Sequence, residues 1–127
     1  MKGLGTQVSG THYTSMKLQP IELAYKLYGT PCLCKLAKYL TRDKGDKLTN
    51  LKKALHCIKL EQDLIEYADV YFDKLDGLVS IEEGKALIAE FTDNDSYRKA
   101  LFHLWVGNYD MAILVVEDII RKYNEVI

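Results

Sequence analysis

From Pro20 onward the apolar residues recur at three- and four-residue intervals, the spacing that gathers side chains on one face of an α-helix. Ile21, Leu23, Ala24, Leu27 and Tyr28 form the first such face, with Pro20 in the opening turn and Gly29 as the stop. Thr30 followed by Pro31 reads as an N-cap and a first-turn proline, which starts a second helix from about Cys32 to Arg42, closed by Gly45. Leu48, Leu51, Leu55 and Ile58, then Ile65, Ala68, Phe72 and Leu75, keep the period with no internal Gly or Pro, so one long helix is expected there. Asp76 and Gly77 mark a turn. Ser80 with Glu83 makes a capping-box pattern ahead of a helix over Ile81 to Phe91. Asp93 to Asp95 cap another, which ends near Trp105 before Gly107. Asn108 opens the last, carrying Ile113, Val116, Ile119, Ile120 and Tyr123; local strand preference at Val115 and Val116 is outweighed by the helical spacing. The expected fold class is all-α, a small domain of five to six helices.

Before Lys17 no period exists. Gly, Thr and Ser dominate the first fifteen residues, which are expected to be a mobile arm. The 127 residues, 48% hydrophobic and 28% charged, suit one globular core, large enough at this length to stand without a disulfide or metal. We therefore read one domain: an arm over 1–15, a helical core over 16–75 and a helical extension over 76–127. Cys32, Cys34 and Cys57 lack paired C-x-x-C spacing and no cleavable signal precedes the core, so reduced thiols in a cytoplasm are expected. The longest apolar run, Met111 to Val116, is far shorter than the ~20 residues a membrane span requires.

The net charge of −1 hides an asymmetry. Residues 1–60 carry eleven Lys and Arg against Glu22, Asp43 and Asp46; residues 61–127 carry six against fifteen Asp and Glu. A basic half attracts phosphate-bearing anions, unless the acidic half neutralises it across the fold or a subunit contact. Two lookalike motifs carry no chemistry. Gly5 to Thr11 imitates phosphate-loop spacing but has Thr11 where the phosphate-reaching lysine belongs, and Asp76-Gly77 to Glu83 imitates half a calcium loop but places Phe72 and Lys74 at ligand positions. Cys32 and Cys34, two residues apart, diverge round a helix and read as packing thiols.

The informative constellation is basic and aromatic. Lys35, Lys38 and Arg42 fall at i, i+3, i+7 on one face of the second helix, with Tyr39 beside them. Lys44 and Lys47 lie across the turn, and on the third helix Lys52, Lys53 and His56 share another face. If the two helices pack antiparallel, the stripes approach one another. Arg offers phosphate a bidentate fork, Lys a point charge and His a titratable donor.

His12-Tyr13, Gln19-Pro20-Ile21-Glu22, Lys38-Tyr39-Leu40-x-Arg42 and Leu51-Lys52-Lys53-Ala54-Leu55-His56 resemble, in order and gaps, a small bacteriophage family that includes a P-loop-less nucleotide kinase. The resemblance covers about residues 11 to 65, half the chain. It implies a helical phage protein that transfers a phosphoryl group from ATP, with Mg2+, to nucleoside or deoxynucleoside monophosphates. Arg42, Lys38 and Lys52, with Lys53 and Tyr39 alongside, would then hold phosphates. His12 and Tyr13 would close over the ligand and stack on its base; His56 would orient a phosphate or carry a proton; Glu22 would serve magnesium or the attacking monophosphate's proton. No ligand set for a resident metal is assigned. The chain departs from the family at Cys34-Lys35, where Gly-Asn is usual, at Asn50, where Asp is common, and at Cys57, where an aromatic is common. The acidic extension falls outside the resemblance; covering the site, subunit contacts as a homo-oligomer and binding a host protein are its candidate roles. Two rival functions stand beside the kinase: a non-catalytic nucleotide or cyclic-nucleotide sequestering protein, and a host-factor-binding module using an acidic surface with Trp105 and Tyr109. Duplex DNA is disfavoured because the acidic half would repel a long polyanion.

Overall fold

The computed structural model describes residues 17–75 and 78–126, and the arm expected over 1–15 lies outside them. These residues are all-helical, in seven helices: α1 (Pro20–Lys26), α2 (Pro31–Thr41), α3 (Lys47–Asp63), α4 (Ile65–Leu75), α5 (Ile81–Phe91), α6 (Asp95–Trp105) and α7 (Tyr109–Val126). None is long and apolar enough to cross a membrane.

Four of the helix starts have a side-chain oxygen on a backbone N–H three residues ahead: Thr30 on Leu33, Asp46 on Thr49, Ser80 on Glu83 and Asn94 on Tyr97. Each satisfies one of the donors that a helix N-terminus leaves without an internal partner. The long helix expected over residues 48–75 is instead two. Leu64 leaves helical geometry (φ −102°, ψ 26°) and shares its N–H between the carbonyls of Leu60 and Glu61. Neither Pro nor Gly causes this break. α3 buries a face as far as Glu61, whereas Ala68 is the one buried residue among the described side chains of α4, so the chain stops following the core at this point.

A second correction concerns the end of α1. Gly29 does not supply the left-handed turn there; Tyr28 does, at φ 52°, the one non-glycine residue with positive φ among those described. Gly29 N–H bonds back to the Ala24 carbonyl and Tyr28 N–H to that of Tyr25, the paired closure of a Schellman motif. Gly107 closes α6 in the same way, and there the left-handed residue is the expected glycine (φ 80°).

α2, α3, α7 and α6 contact one another in a ring, α2 against α3, α3 against α7, α7 against α6 and α6 against α2. Leu33, Leu36, Leu40, Leu51, Ile58, Leu101, Leu104 and Val116 fill its interior. Leu23 and Leu27 of α1 join this core, while Ile21 and Tyr28, expected on the same face, stay half exposed. α1 and α5 pack together at one flank. The indole Nε1 of Trp105 donates to the Leu27 carbonyl at 3.0 Å, and α5 approaches that ring so closely that a Cβ at Gly84 would stand 2.1 Å from it. Trp105 and Tyr109, proposed above as part of a surface, are therefore interior residues, 4% and 9% exposed.

Inside this ring sits a carboxyl group. Glu61 is 2% exposed, and it accepts hydrogen bonds from the Thr30 hydroxyl and, at 2.9 Å, from the Tyr109 hydroxyl. Burial pushes its pKa up, more than the two donated bonds pull it down. In the unfolded chain the group titrates near 4, so the native state holds the extra proton just above that pH and stability falls as pH rises through the folded value. Glu61→Gln removes the titration, and its stability relative to wild type should rise between about pH 4 and neutrality. Glu61→Ala, which strands two buried hydroxyls, should cost roughly 1–3 kcal/mol. Urea denaturation across pH reads both; a constant difference between Glu61→Gln and wild type would show that the carboxyl is not buried. At the other site, Tyr28→Gly relieves a backbone conformation that costs an L-residue about 1–2 kcal/mol, offset by glycine's greater unfolded freedom. A net gain of up to about 1 kcal/mol is expected, and a lower urea midpoint would instead give the Tyr28 ring a stabilising role.

Candidate functional site

The α2–α3 hairpin carries eight of the chain's seventeen Lys and Arg, and its two helices are antiparallel. Lys38 Nζ lies 5.4 Å from the centroid of Tyr39 and Lys53 Nζ, from the other helix, 5.7 Å from the same ring. Tyr39 thus joins the two stripes: its ring packs on the core, and two ammonium groups gather around it. Lys35 stands one turn before Lys38 and Arg42 at the C-cap of α2, one turn after it.

What holds the connecting loop is buried and polar. Asn50, 4% exposed, donates from Nδ2 to the Lys44 carbonyl at 2.8 Å, and Lys47 Nζ reaches back to the Leu40 carbonyl at 2.5 Å. Lys47 also lies 5.2 Å from the Tyr97 ring, so this cation belongs to the fold rather than to an open surface. The same holds for Asn50, whose position needs a donor. At the start of α3, Asp46 accepts from the Thr49 hydroxyl and N–H, and these bonds hold its carboxyl below the usual range.

The other expected residues spread out. Lys52 and His56 are exposed one turn apart on α3, and the charge of Lys52 acts on Asp46. Glu22, in the first turn of α1, pairs with Lys26 at 3.7 Å and touches none of the basic stripe. His12 and Tyr13 lie outside the described residues. Among those residues no three His, Cys, Asp or Glu side chains gather as metal ligands. The three thiols are free: Cys32 and Cys57 are buried and Cys34 is half-buried. Burial pushes all three up, Cys57 to about 11, which keeps them protonated at neutral pH.

The distribution of ion pairs is the electrostatic finding. Lys26 pairs with Glu22 inside the basic half. Arg98 with Asp93, Lys99 with Asp95, Arg121 with Asp118 and Glu125, and Lys122 with Asp118 all lie inside the acidic half. Among the described residues none crosses between halves, and Lys35, Lys38, Arg42, Lys52, Lys53 and His56 form no ion pair at all. Among the described residues the acidic half therefore supplies no ion pair to the hairpin. Fold and face together define a helical protein with an antiparallel hairpin whose basic side chains Lys35, Lys38, Arg42, Lys52 and Lys53 form no ion pair among the described residues. The chain matches no family model, no curated protein and no solved structure.

Sequence reasoning missed Glu61, Thr30 and Tyr109 as a unit. The available signal was the register: Glu61 stands at i+7 from Ala54 and i+3 from Ile58, on the apolar stripe, where a carboxyl requires partners. Asn50 yields the clearest test of the loop. Asn50→Asp replaces the donor by a carboxylate facing the Lys44 carbonyl and should destabilise by roughly 1–3 kcal/mol, more at neutral pH than at pH 4. Thermal melts at both values measure it; an unchanged melting point would mean that the carbonyl does not need the donor.

Proposed function

We propose that this protein binds nucleotides by their phosphates on the α2–α3 face, and that its activity is the transfer of a phosphoryl group from ATP to a nucleoside or deoxynucleoside monophosphate. The observation that carries the reading is the cationic cluster: Lys38 and Lys53 meet at one ring and form no ion pair among the described residues, and an anion relieves their mutual repulsion. Arg42 extends the cluster by a guanidinium, suited to phosphate oxygens. The resemblance of residues 11 to 65 to the phage kinase family supports the catalytic part, because phosphoryl transfer asks a protein chiefly for positioning and charge neutralisation. Magnesium fits as a companion of ATP rather than as a resident ion, given that the described residues gather no set of acidic ligands.

A second reading, non-catalytic sequestration, draws on the ion pair of Glu22 with Lys26, which leaves the residue considered for magnesium engaged elsewhere. Both readings share the phosphate-binding face. The host-factor module receives less support, because Trp105 and Tyr109 are internal.

Calorimetry with thymidine, thymidine monophosphate and ATP, with and without magnesium, tests the shared reading. Nucleotides should bind and the nucleoside should bind more weakly; Lys38→Ala, Lys53→Ala and Arg42→Ala should each lose roughly 1–2 kcal/mol, and added salt should weaken binding. Equal affinity for thymidine and its monophosphate would remove phosphate recognition. Product analysis separates the two readings: formation of ADP and a diphosphate, suppressed in Glu22→Gln, establishes the kinase, and tight binding without turnover establishes sequestration.

A further inference from the structure

Between α1, the first turns of α2 and α4 opens a cavity of about 580 Å3, walled by Ile21, Tyr25, Tyr28, Cys34, Lys35 and Tyr71 among others. Its size falls in the range of small-molecule sites. Three phenol rings come together there, and two of them are conspicuously unused by the core: Tyr25 is 76% exposed and Tyr28 50%. Tyr28 is also the residue held at φ 52° although glycine follows it in sequence, a strained backbone of the kind that accumulates where a side chain must be aimed. Such a wall suits a flat, uncharged ring, which tyrosine faces hold by stacking.

Among the described residues the cavity has one charged lining residue, Lys35, which is also the first member of the Lys35, Lys38, Arg42 stripe. The aromatic cavity and the cationic face are thus continuous through a single side chain. From Lys35 to Arg42 the stripe runs about 10 Å along α2, enough for more than one phosphate. A molecule with a flat aromatic end and an anionic tail matches both parts at once, whereas an inorganic polyanion would leave the cavity empty and a neutral aromatic would leave the stripe uncompensated.

We propose that this cavity is the base subsite of a nucleotide, which places its ring among Tyr25, Tyr28 and Tyr71 and its phosphates along Lys35 and Lys38. The proposal rests on the phosphate-binding reading above and adds the place of the base. Cys34 supplies a local reporter, because it lines the cavity and is half exposed while Cys32 and Cys57 are buried.

The test uses the full-length protein with thymidine monophosphate, ATP and pyrophosphate, reading affinity by calorimetry and the alkylation rate of Cys34 by iodoacetamide. Tyr25→Ala should weaken both nucleotides about tenfold and leave pyrophosphate unchanged. Tyr28→Gly, which relieves backbone strain, should do the same without loss of fold. Nucleotides should slow alkylation of Cys34, and pyrophosphate should not. If Lys38→Ala weakens nucleotide and pyrophosphate alike while Tyr25→Ala and Tyr28→Gly alter neither and Cys34 stays equally reactive, the base lies elsewhere and this proposal is overturned with the phosphate face intact. If Lys38→Ala changes no affinity, the phosphate reading itself fails.

Discussion

A carboxyl group that occupies a core position must find partners, and the fold is arranged around that requirement at Glu61. The Thr30 hydroxyl donates to Glu61 and accepts from the Leu33 N–H, so one side chain both caps α2 and satisfies the buried acid. The Tyr109 hydroxyl completes the pair from the first residue of α7. Three helices meet at a single polar point inside an apolar ring, and a slip of any of them leaves a buried group without its bond. Leucine packing alone tolerates such slips better, because apolar contacts have no direction.

From this anchor the position of the candidate site follows. Thr30 fixes where α2 begins, and residues 28–31 form the bend between α1 and α2 that also walls the tyrosine-lined cavity. At the opposite end of α2, Asn50 and Lys47 bind the loop and the last turn by bonds to the Lys44 and Leu40 carbonyls. Both ends being held, the basic residues between them project from a rigid hairpin, and their charges stay together although repulsion opposes it. Rigid placement is what electrostatic recognition of a phosphate uses, since the donors then need no reorganisation when the anion arrives.

The acidic half has a different economy. Four of its six cations, Arg98, Lys99, Arg121 and Lys122, are drawn into short-range pairs on α6 and α7, at spacings of three and four residues or in the turn before α6. Exposed pairs of this kind contribute little stability. Their effect here is on the field: the acidic surface consumes its own positive charge, and none of it pairs with the hairpin among the described residues. The two halves of the sequence thus keep net charges of opposite sign on one molecule.

Local sequence determined the helices, their caps and the existence of the basic stripe. Thr30-Pro31, Ser80, Asn94 and Gly107 act through atoms a few residues away, and the i, i+3, i+7 spacing of Lys35, Lys38 and Arg42 needs only helical geometry to become a face. Tertiary structure decided the rest. The break at Leu64 depends on where the core ends, and the left-handed turn fell on Tyr28 in spite of the adjacent glycine because the chain must bend there toward α2. The meeting of Lys38 with Lys53, the burial of Trp105, Tyr109 and Asn50, and the union of Glu61 with Thr30 and Tyr109 join residues from 15 to 79 positions apart or depend on what packs above them, as the bond from Trp105 to Leu27 does across 78. A periodic pattern states which side of a helix is apolar; only packing states which polar group that side encloses and which charges it leaves to solvent.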